Sequence, residues 1–516
     1  MSEQTDPVRL QALIIGAGFA GIGMARALRQ LGIDDFLLVD RGDRPGGVWQ
    51  ANRYPGAACD VPSHLYSFSF APATHWSRRY GPQAEIRQYL ENCLDRFECR
   101  SQTLFNTEIA SAHWDSEQGH WLVRDSTGRC WQTRWLFSAV GQLSQPQRPK
   151  IDGIDEFAGP VVHSAQWPED LQLNDQRVAV IGSGASAIQF VPAILPAVRQ
   201  LTLFQRSAPY VLPKPDGPYS RAQQQRFRNW PILQRLSRWA QYLSHEARGM
   251  VLLHSPLLLR GYRWYFERGL SRQIADPALR DRLRPTEALG CKRVLFSNDW
   301  YAALADPRTT VVSDGISRIH ARGVVDCRGN DHPADVLILG TGFQATRFLS
   351  PLQIHGSDGL ELNQAWRNGA QAYLGMCMPG FPNFFMLYGP NTNLGHNSIV
   401  FMLECQIRYA TQALGALNRS PQRSMQIRRD IHQRYQNGLE RRLQRSVWSS
   451  GCHSWYHDEH GRITTNWPGS TVSYAWATRR FAICFRSLES LTPAARLLLD
   501  HLTRAAQRAH AAVSVG

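Results

Sequence analysis

Short apolar runs alternate with glycine-rich turns along much of this chain. The runs are four to six residues long and lack the polar alternation of a half-exposed strand, which is typical of strands buried in a parallel sheet. They lie at residues 12–15, 36–39, 135–140, 177–181, 201–205 and 335–339. This pattern predicts an α/β fold built on parallel sheets.

A different pattern fills residues 217–290, which are rich in arginine and tryptophan and poor in strand signals. Apolar residues recur there at helical spacing: Ile232, Leu233, Leu236, Trp239 and Leu243. We therefore predict a helical insert. A basic amphipathic helix is able to lie on a membrane surface, but packing over the cleft between two domains is the interpretation we favour. The most apolar run, residues 250–259, is interrupted by His254 and Pro256 and is too short to span a bilayer.

The first glycine motif follows the run at residues 12–15 and precedes a helix-like stretch that reaches about residue 31. Its sequence is Gly16-Ala17-Gly18-Phe19-Ala20-Gly21, and the next strand ends in Asp40. In this context the glycines allow the backbone to approach a pyrophosphate on the helix N-terminus. The Asp40 carboxylate is placed to accept hydrogen bonds from a ribose hydroxyl. Gly16, Gly18, Gly21 and Asp40 are therefore predicted to bind a dinucleotide.

The second glycine motif repeats this design with one change. Residues 177–181 lead into Gly182-Ser183-Gly184-Ala185-Ser186-Ala187, a permitted GxGxxA variant, and the following strand ends in Arg206 and Ser207. Asp40 lies 24 residues after Gly16 (40 − 16), and Arg206 lies 24 residues after Gly182 (206 − 182).

The first motif is followed by a carboxylate and the second, at the same spacing, by a guanidinium, and this difference predicts different cofactors for the two sites. A carboxylate repels a 2′-phosphate, whereas an arginine binds one through two N–H groups. The first site is therefore predicted to take FAD or NAD, and the second to take NADP through Gly182, Ser183, Gly184, Ser186, Arg206 and Ser207. The alternative for Arg206 is an ordinary solvated residue at a strand end.

The motif order predicts two Rossmann-like dinucleotide-binding domains, the second inserted into the first. Residues 1–150 and 331–516 are assigned to the FAD-binding domain, and residues 151–330 to the NADP-binding domain with the helical insert 217–290. No third nucleotide motif follows residue 340. The closing stretch with Leu497, Leu498, Leu499 and Leu502 predicts a helix of unassigned role.

Charge and cysteine content exclude several classes of protein. The formal net charge is +15, but the arginines are spread along the chain without a basic run or a nucleic-acid module, so we expect no nucleic-acid partner. The ten cysteines contain no CxxC pair, which fits a reducing cytoplasm better than a disulfide scaffold. The N-terminus lacks a basic-then-apolar leader. A cytoplasmic enzyme is the expectation, and its oligomeric state cannot be predicted.

The stretch between the motifs resembles a known family. Phe157-x-Gly159-x-x-x-His163-x-x-x-Trp167-Pro168 resembles the fingerprint of type I Baeyer–Villiger monooxygenases, which usually continues with Asp or Asn where this chain has Glu169. Gly46-Gly47-Val48-Trp49 and the segment from Tyr54 to Asp60 are similar to its flavin-facing segments, and Gly340-Thr341-Gly342-Phe343 to its second long motif. The resemblance covers residues 10–475.

The resemblance implies the following site residues. Arg293, in Cys291-Lys292-Arg293, is the catalytic cation, and Asp60 is the carboxylate that orients it. Lys292 joins Arg206 and Ser207 on the NADP 2′-phosphate, and Trp455 closes over NADP. Cofactor contacts are further expected from Gly47, Trp49, Asp60, Tyr66 and Gln142.

The resemblance also implies a reaction. NADPH reduces FAD, the reduced flavin captures O2 as a C4a-peroxide, and this anion attacks a ketone to give an ester or lactone. A permanent cation is needed beside the flavin, and arginine keeps its charge when desolvated. The nearest alternative is N- or S-oxygenation by the same cofactor. A rival of another class is a redox sensor or membrane-associated scaffold that only retains nucleotide. The sequence does not name the ketone.

Three further groups have open interpretations. His163 is expected to act as a hydrogen-bonding residue in the interdomain linker rather than as a general base. The cluster from Cys452 to His457 fits no zinc spacing, and no metal is predicted. A helix follows residues 391–396, and its N-terminus is expected either to face the flavin pyrimidine or simply to be capped by Asn397 or Ser398.

Overall fold

A computed structural model describes residues 6–481, apart from residues 255, 420–421 and 452–453. In this part of the chain the strands are β1 (Val8–Ile15), β2 (Phe36–Val39), β3 (Thr103–Leu104), β4 (Ile109–Asp115), β5 (His120–Asp125), β6 (Cys130–Ser138), β7 (Val161–His163), β8 (Arg177–Ile181), β9 (Gln200–Phe204), β10 (Val211–Leu212), β11 (Leu295–Phe296), β12 (Thr309–Val312), β13 (Ile316–His320), β14 (Gly323–Asp326), β15 (Asp331–Pro333), β16 (Val336–Leu339), β17 (Gln353–His355) and β18 (Phe384–Met386).

The helices lie mostly between these strands and after the last of them. In the described residues they are α1 (Phe19–Gln30), α2 (Val48–Ala51), α3 (Gln83–Arg96), α4 (Ala187–Ile194), α5 (Arg221–Asn229), α6 (Pro231–His254), α7 (Pro256–Gln273), α8 (Pro277–Arg282), α9 (Trp300–Ala305), α10 (Leu362–Ala365), α11 (Ile399–Asn418), α12 (Arg429–Gln444) and α13 (Thr471–Ala477). Short 3-10 turns cover Arg100–Gln102, Ile154–Glu156, Ser164–Gln166, Ser357–Gly359 and Val447–Ser449.

The first sheet has the strand order β17-β4-β5-β6-β1-β2-β3, and β18 pairs with the end of β6. Strands β6, β1, β2 and β3 are parallel, whereas β4, β5 and β6 form an antiparallel meander. Helices α1 and α11 pack together beside this sheet. Their buried faces and the apolar strand β1 explain why residues 12–15 are uniformly apolar: those side chains are in the core.

The second sheet has the strand order β12-β9-β8-β16-β7, and every pairing in it is parallel. Strand β16 lies after residue 331, where we expected the first domain to resume. It nevertheless hydrogen bonds to β8 and β7. The sequence boundary was therefore wrong for this strand, because an apolar run alone does not say which sheet it joins. The second unit extends to Leu339.

The predicted helical insert is present as α5 to α8, but its packing differs from the expectation. The five apolar residues that predicted the helix are exposed on α6, namely Ile232, Leu233, Leu236, Trp239 and Leu243. The buried side of α6 is polar instead. The periodicity correctly indicated a helix, but it did not indicate which side faces the protein. No helix among the described residues is long and apolar enough to cross a membrane.

Candidate active site

The first glycine loop joins β1 to α1 in a conformation that requires glycine. Gly16 has φ +108°, and a Cβ atom there would lie 2.6 Å from the carbonyl oxygen of Ala139, just past β6. A Cβ atom on Gly21 would lie 1.8 Å from the carbonyl oxygen of Gly16. The loop therefore turns tightly and packs closely on the sheet, as a pyrophosphate-binding turn does.

Asp40 lies directly beside this loop. Its Oδ2 accepts a hydrogen bond from the Ala17 N–H at 2.6 Å, and its Oδ1 accepts one from the Gly42 N–H at 2.7 Å. The carboxylate is thus fixed against the end of β1 by backbone donors. Carboxylate oxygens have further lone pairs, so this arrangement still allows hydrogen bonds from a ribose.

Residues 46–49 form a cover over the first loop. The Gly46 N–H donates to the carbonyl of Ala17 at 2.9 Å, and a Cβ atom on Gly18 would lie 3.6 Å from the Cα of Gly47. The Trp49 indole N–H donates to the Tyr66 hydroxyl at 3.1 Å. The fold therefore brings Gly47, Trp49 and Tyr66, which are far apart in sequence from Gly18, to one edge of the loop.

The buried side-chain amide of Gln142 has partners among the described residues for its nitrogen but not for its oxygen. Its Nε2 donates to the carbonyls of Tyr388 and Gly389 at 3.2 and 3.1 Å. Its Oε1 is buried and accepts no hydrogen bond from any described residue. A buried acceptor without a partner costs about 1–3 kcal/mol. Such an acceptor suits a residue that receives a hydrogen bond from a bound ligand.

The second glycine loop joins β8 to α4 with nearly the same backbone as the first. Gly182 has φ +107°, and a Cβ atom there would lie 2.4 Å from the carbonyl oxygen of Gly340, just past β16. The Ser183 hydroxyl donates to the Ser207 carbonyl at 3.2 Å. Ser186 begins α4 without a side-chain capping bond. A Cβ atom on Gly184 would meet no described atom within 4 Å.

The predicted phosphate-binding residues converge beside this second loop. Lys292 donates to the Ser207 hydroxyl at 2.8 Å and forms an ion pair with Glu287. Arg206 is exposed, and no hydrogen bond or ion pair joins its guanidinium to the described residues. Glu287 was missed by sequence reasoning, because nothing in its local sequence says that it pairs with Lys292.

Asp60 and Arg293 form the ion pair that the resemblance implied. Asp60 Oδ2 accepts from the Nη2 and Nε of Arg293 at 2.6 and 3.1 Å, and Nη1 donates to the Leu394 carbonyl at 3.4 Å. Burial acts to raise the pKa of Asp60, but the positive charges of Arg293 and Lys214 outweigh it and lower that pKa. Asp60 in turn raises the pKa of Arg293. Both groups are therefore charged at neutral pH.

Three residues near this pair were not predicted as site residues. Lys214 donates to the Cys59 carbonyl at 3.1 Å. Tyr388 donates to Asn393 Oδ1 at 2.7 Å, and burial raises its pKa. Burial also raises the pKa of Tyr456 to about 12. The one available signal was that Lys214 is among only three lysines in the sequence; the tyrosines come from distant segments.

His163 was expected in a linker between the two units, but it is the last residue of β7, the strand at one edge of the second sheet. Its Nδ1 accepts from the Ala165 N–H, and its Nε2 lies 3.1 Å from the carbonyl oxygen of Gly342. Because a carbonyl only accepts, Nε2 carries the proton. Burial lowers the pKa of this histidine. With both ring nitrogens occupied, His163 connects the fingerprint to the Gly340–Phe343 motif and is not poised as a general base.

The two units meet at the segment that precedes Asp60. The Tyr54 hydroxyl donates to Gln189 Oε1 at 3.0 Å, and Gln189 Nε2 donates to the Ala58 carbonyl at 2.9 Å. A Cβ atom on Gly56 would lie 2.7 Å from the Gln189 carbonyl oxygen. Helix α4 of the second unit thus packs directly on residues 54–58. Glu169, which departs from the family pattern, forms an ion pair with Arg53 across the same boundary.

Helix α11 begins after the segment at residues 391–396. Ser398 is its N-cap residue, but the Ser398 side chain makes no capping bond and donates instead to the Leu65 carbonyl at 3.3 Å. Asn397 Oδ1 accepts from the Ser398 N–H at 2.8 Å. The side chain of Ser398 therefore does not cap the first turn of α11. Whether the N-terminus of α11 faces the flavin pyrimidine stays a prediction.

The segment after residue 450 is described only in part, because Cys452 and His453, from the cluster for which no metal was predicted, lie outside the described residues. Trp455 is 36% exposed, and its ring lies 4.6 Å from that of Tyr456. Within the described residues no group of His, Cys, Asp and Glu side chains is arranged to hold a metal ion. Cys291 is disulfide-bonded, a departure from the expectation of free thiols.

These features fit two dinucleotides. Each loop places a tight glycine turn before a helix, as a pyrophosphate requires. The orphaned Gln142 Oε1 and the carboxylate of Asp40 suit the first cofactor. The cations Arg206 and Lys292, with the Ser207 hydroxyl bonded to Lys292, suit a phosphorylated ribose. The Asp60–Arg293 pair lies where the two units meet.

Comparisons with known proteins agree with this geometry. Residues 13–220 match the family described as pyridine nucleotide-disulphide oxidoreductase. A Baeyer–Villiger monooxygenase of Pseudomonas aeruginosa is 44% identical over 93% of this chain and 92% of its own length, and an FAD-binding monooxygenase of Aspergillus niger is 35% identical over 91% and 80%. The structure of an oxidized steroid monooxygenase bound to NADP superposes with a TM-score of 0.83, at 30% identity, over 92% of this chain and 97% of that one. The chain belongs to the Baeyer–Villiger monooxygenase family.

Proposed function

We propose that this enzyme uses FAD, NADPH and O2 to insert one oxygen atom into a ketone, with Arg293 as the catalytic cation and Asp60 as its positioning residue. The observation that carries the proposal is the two-point contact of Asp60 with Arg293, at the boundary between two dinucleotide-binding units. A family member with both cofactor sites and this pair is equipped for Baeyer–Villiger oxidation rather than for oxygenation of nitrogen or sulfur.

We assign FAD to the first unit and NADPH to the second. Gly16, Gly18, Gly21 and Asp40 would hold the FAD pyrophosphate and ribose, with Gly47, Trp49, Tyr66 and Gln142 around the remainder of the cofactor. Gly182, Ser183, Gly184 and Ser186 would hold the NADPH pyrophosphate, with Arg206, Ser207 and Lys292 on its 2′-phosphate. Trp455 would close over NADPH. The domain limits that accompany this assignment are 1–150 and about 340 onward for FAD, and the intervening residues for NADPH.

The protein contributes charge and orientation to the reaction. When bound, NADPH supplies a hydride and FAD supplies the oxygen-activating chemistry. Arg293 places a fixed positive charge where negative charge develops on the substrate carbonyl oxygen, and such preorganised charge is worth more in a site that excludes water. Asp60 holds the guanidinium through Nε and Nη2, which leaves other N–H donors of Arg293 to face the substrate.

Asp60 also limits how strongly Arg293 binds anions. A lone buried guanidinium would bind anions such as buffer ions, because its own charge is uncompensated. The neighbouring carboxylate offsets part of that charge, and Lys214 restores part of it. We therefore regard Asp60, Lys214 and Arg293 as one electrostatic unit with net positive charge.

The proposal extends to substrate and location at a coarser level. The substrate is a small-molecule ketone of unassigned structure, and nucleic acid is not a partner. We propose a cytoplasmic location, supported by seven free thiols among the eight described cysteines, the exception being the disulfide-bonded Cys291. The free thiols are those of Cys59, Cys93, Cys99, Cys130, Cys327, Cys377 and Cys405.

The deciding experiment is product analysis of purified holoenzyme with a ketone panel and a sulfide panel under labelled O2. We expect label in esters or lactones from at least one ketone class. Arg293→Ala should lower ester formation by about a hundredfold to a thousandfold, as loss of one oxyanion-stabilising group does, while flavin content is retained.

A matched control is Arg148→Ala, because the exposed guanidinium of Arg148 pairs with Asp155 and not with a residue assigned to the site; it should leave product formation unchanged. Arg293→Lys should recover part of the activity, since it keeps the charge but loses the fork that Asp60 holds. Labelled sulfoxide without any ester, or full ester formation in Arg293→Ala, would overturn the proposal.

A further inference from the structure

Helix α6 exposes an apolar stripe. Ile232, Leu236, Trp239 and Leu243 are each 55–61% exposed, and they are separated by four, three and four residues. At 3.6 residues per turn this spacing puts them on one face. The neighbouring Leu233 is 41% exposed. A helix of a globular protein normally turns such a stripe toward the core, so this orientation is the reverse of the usual one.

The opposite face of α6 is polar and is anchored to the protein. Gln234, Gln241 and His245 are 3–8% exposed. Together with Arg238 they have the same four-three-four spacing as the apolar stripe. Each lies two residues after a stripe residue, which is about 200° further around the helix. Arg238 donates to the carbonyls of His64, Leu65 and Ser67.

Further contacts fix this orientation of α6. The buried Glu246 accepts hydrogen bonds from Asn397 and from both the N–H and the hydroxyl of Thr471. His245 Nδ1 donates to the carbonyl of His396 at 3.0 Å. Rotating α6 to bury its apolar stripe would leave these polar groups without partners, at about 1–3 kcal/mol each. The outward stripe is therefore a stable feature of the fold.

Helix α7 exposes further apolar residues. Leu258, Trp264 and Tyr265 are 51–62% exposed, and the guanidinium of Arg268 lies 5.5 Å from the centre of the Trp264 ring. Helix α7 also contacts α6. We call the exposed apolar residues of α6 and α7 the insert surface. Large exposed apolar areas mark interaction sites in soluble proteins.

The charge around the insert surface is strongly positive. Residues 221–273 contain ten arginines, two glutamates and no lysine or aspartate, which gives a net charge of +8 (10 − 2). Eight of these arginines are exposed. Glu246 is buried, and Glu267 forms an ion pair with Arg284. No negative side chain is exposed in the described part of this segment to offset the arginines.

We propose that the insert surface docks on an anionic lipid membrane. Tryptophan, tyrosine and leucine that enter the headgroup boundary, together with arginines that contact acidic headgroups, are the chemistry of interfacial binding. A second copy of the chain fits less well, because it would bring two +8 segments together. The C-terminal tail from residue 482 also fits less well, since it carries four arginines and two acidic residues and has the same sign of charge.

The test is flotation of the holoenzyme with vesicles of phosphatidylcholine alone and of an equal mixture of phosphatidylcholine and phosphatidylglycerol. We expect binding to the anionic vesicles, which high salt weakens. Leu236→Gln/Trp239→Gln should lower the partition coefficient by about tenfold or more. Arg228→Gln/Arg235→Gln should lower it by about fivefold for each arginine.

A matched control is Val8→Gln/Leu31→Gln, which removes two exposed apolar side chains from the first domain and should leave binding unchanged. Quenching of tryptophan fluorescence by lipids brominated on the acyl chain tests the wild-type enzyme without any variant. Absence of flotation and quenching, or equal binding to neutral vesicles, overturns the proposal. If light scattering shows a dimer that Leu236→Gln/Trp239→Gln dissociates and the control variant does not, the surface binds a second copy and the proposal is overturned. Tight binding of an acidic protein without vesicle binding overturns it in favour of a protein partner. Ketone oxidation in detergent-free buffer is a separate readout, so failure here leaves the proposed function standing.

Discussion

The two glycine loops share a backbone but differ in what surrounds them. Gly16 and Gly182 have φ values of +108° and +107°, and each packs against the carbonyl oxygen of the residue just past the adjacent parallel strand, Ala139 and Gly340. Two segments with different side chains thus fold to one turn, because the turn is set by the glycines and by the strand beside them.

The surroundings of the loops are unlike. The first is enclosed, with Gly46 hydrogen-bonded to Ala17 and with Asp40 held by two backbone N–H groups. The second is open at Gly184, and its Arg206 is exposed. A covered loop with prearranged partners suits a cofactor that stays bound, and an open one suits a cofactor that must enter and leave in every turnover. The shared backbone is consistent with dinucleotide binding at both loops, and the different covers are consistent with the proposed assignment of FAD to the first and NADPH to the second.

We expect the largest effect at the last position of the GxGxxG/A motif, which is Gly21 in the first loop and Ala187 in the second. A Cβ atom on Gly21 would lie 1.8 Å from a backbone oxygen, whereas the equivalent position in the second loop already carries a methyl group, Ala187. Gly21→Ala should abolish flavin retention and lower the free energy of unfolding by about 3 kcal/mol or more. Ala187→Gly should cost only about 1 kcal/mol. Flavin absorbance and thermal melting measure both; a flavin-replete Gly21→Ala enzyme would contradict the enclosed-loop description.

Substituting the proposed ribose-binding residues, Asp40 and Arg206, should distinguish the two cofactor sites. Arg206→Ala should raise the KM for NADPH by about ten- to a hundredfold, because a charge-assisted pair contributes about 1.5–3 kcal/mol, and should leave flavin content unchanged. Asp40→Asn should weaken FAD retention with little change in the KM for NADPH. Steady-state kinetics and flavin-release assays report the two effects. If either variant alters both cofactors equally, the assignment of one dinucleotide to each loop is wrong.

Breaking the Lys292–Glu287 ion pair at Glu287 should change the KM for NADPH less than Arg206→Ala does, and in the opposite direction. Glu287 neutralises part of the Lys292 charge, so Glu287→Gln should lower the KM for NADPH by a few-fold while Lys292→Met raises it. The expected change is about 1 kcal/mol or less, since Lys292 and Glu287 are partly exposed. Competition by free 2′-phosphorylated adenosine is a direct measure. A control is Glu267→Gln, which breaks the ion pair with Arg284 instead.

Acid should destabilise the first domain gradually. Burial lowers the pKa of His64 and of His432 to about 4, so below about pH 6.5 the unfolded chain takes up protons that the folded one does not. Stability should fall as pH drops from 6.5 towards 4, by about 1.4 kcal/mol per pH unit for each histidine. Flavin release against temperature at several pH values measures this. In His64→Gln/His432→Gln the slope should flatten, and an unchanged slope would contradict the assignment.

The positions of several candidate site residues were predictable because they lie next to motifs. Asp40 and Arg206 follow strands at fixed distances from glycine turns, so local sequence places them. Glu287, Tyr388 and Tyr456 were not predictable, because each reaches the site through a loop whose path depends on the whole fold.

The sequence by itself determined the two glycine loops, the contrast between Asp40 and Arg206 after the strands that follow them, and the presence of helices in the insert. Each of these features depends on contacts between residues within about 25 positions of one another, so the spacing in the sequence determines where the side chains lie. The tertiary structure decided that β16 completes the second sheet, that Asp60 meets Arg293 across 233 residues, and that α6 turns its apolar side outward. The reason is physical: strand partnership, ion pairing and helix rotation are set by competition among all surfaces for burial, which no single segment encodes.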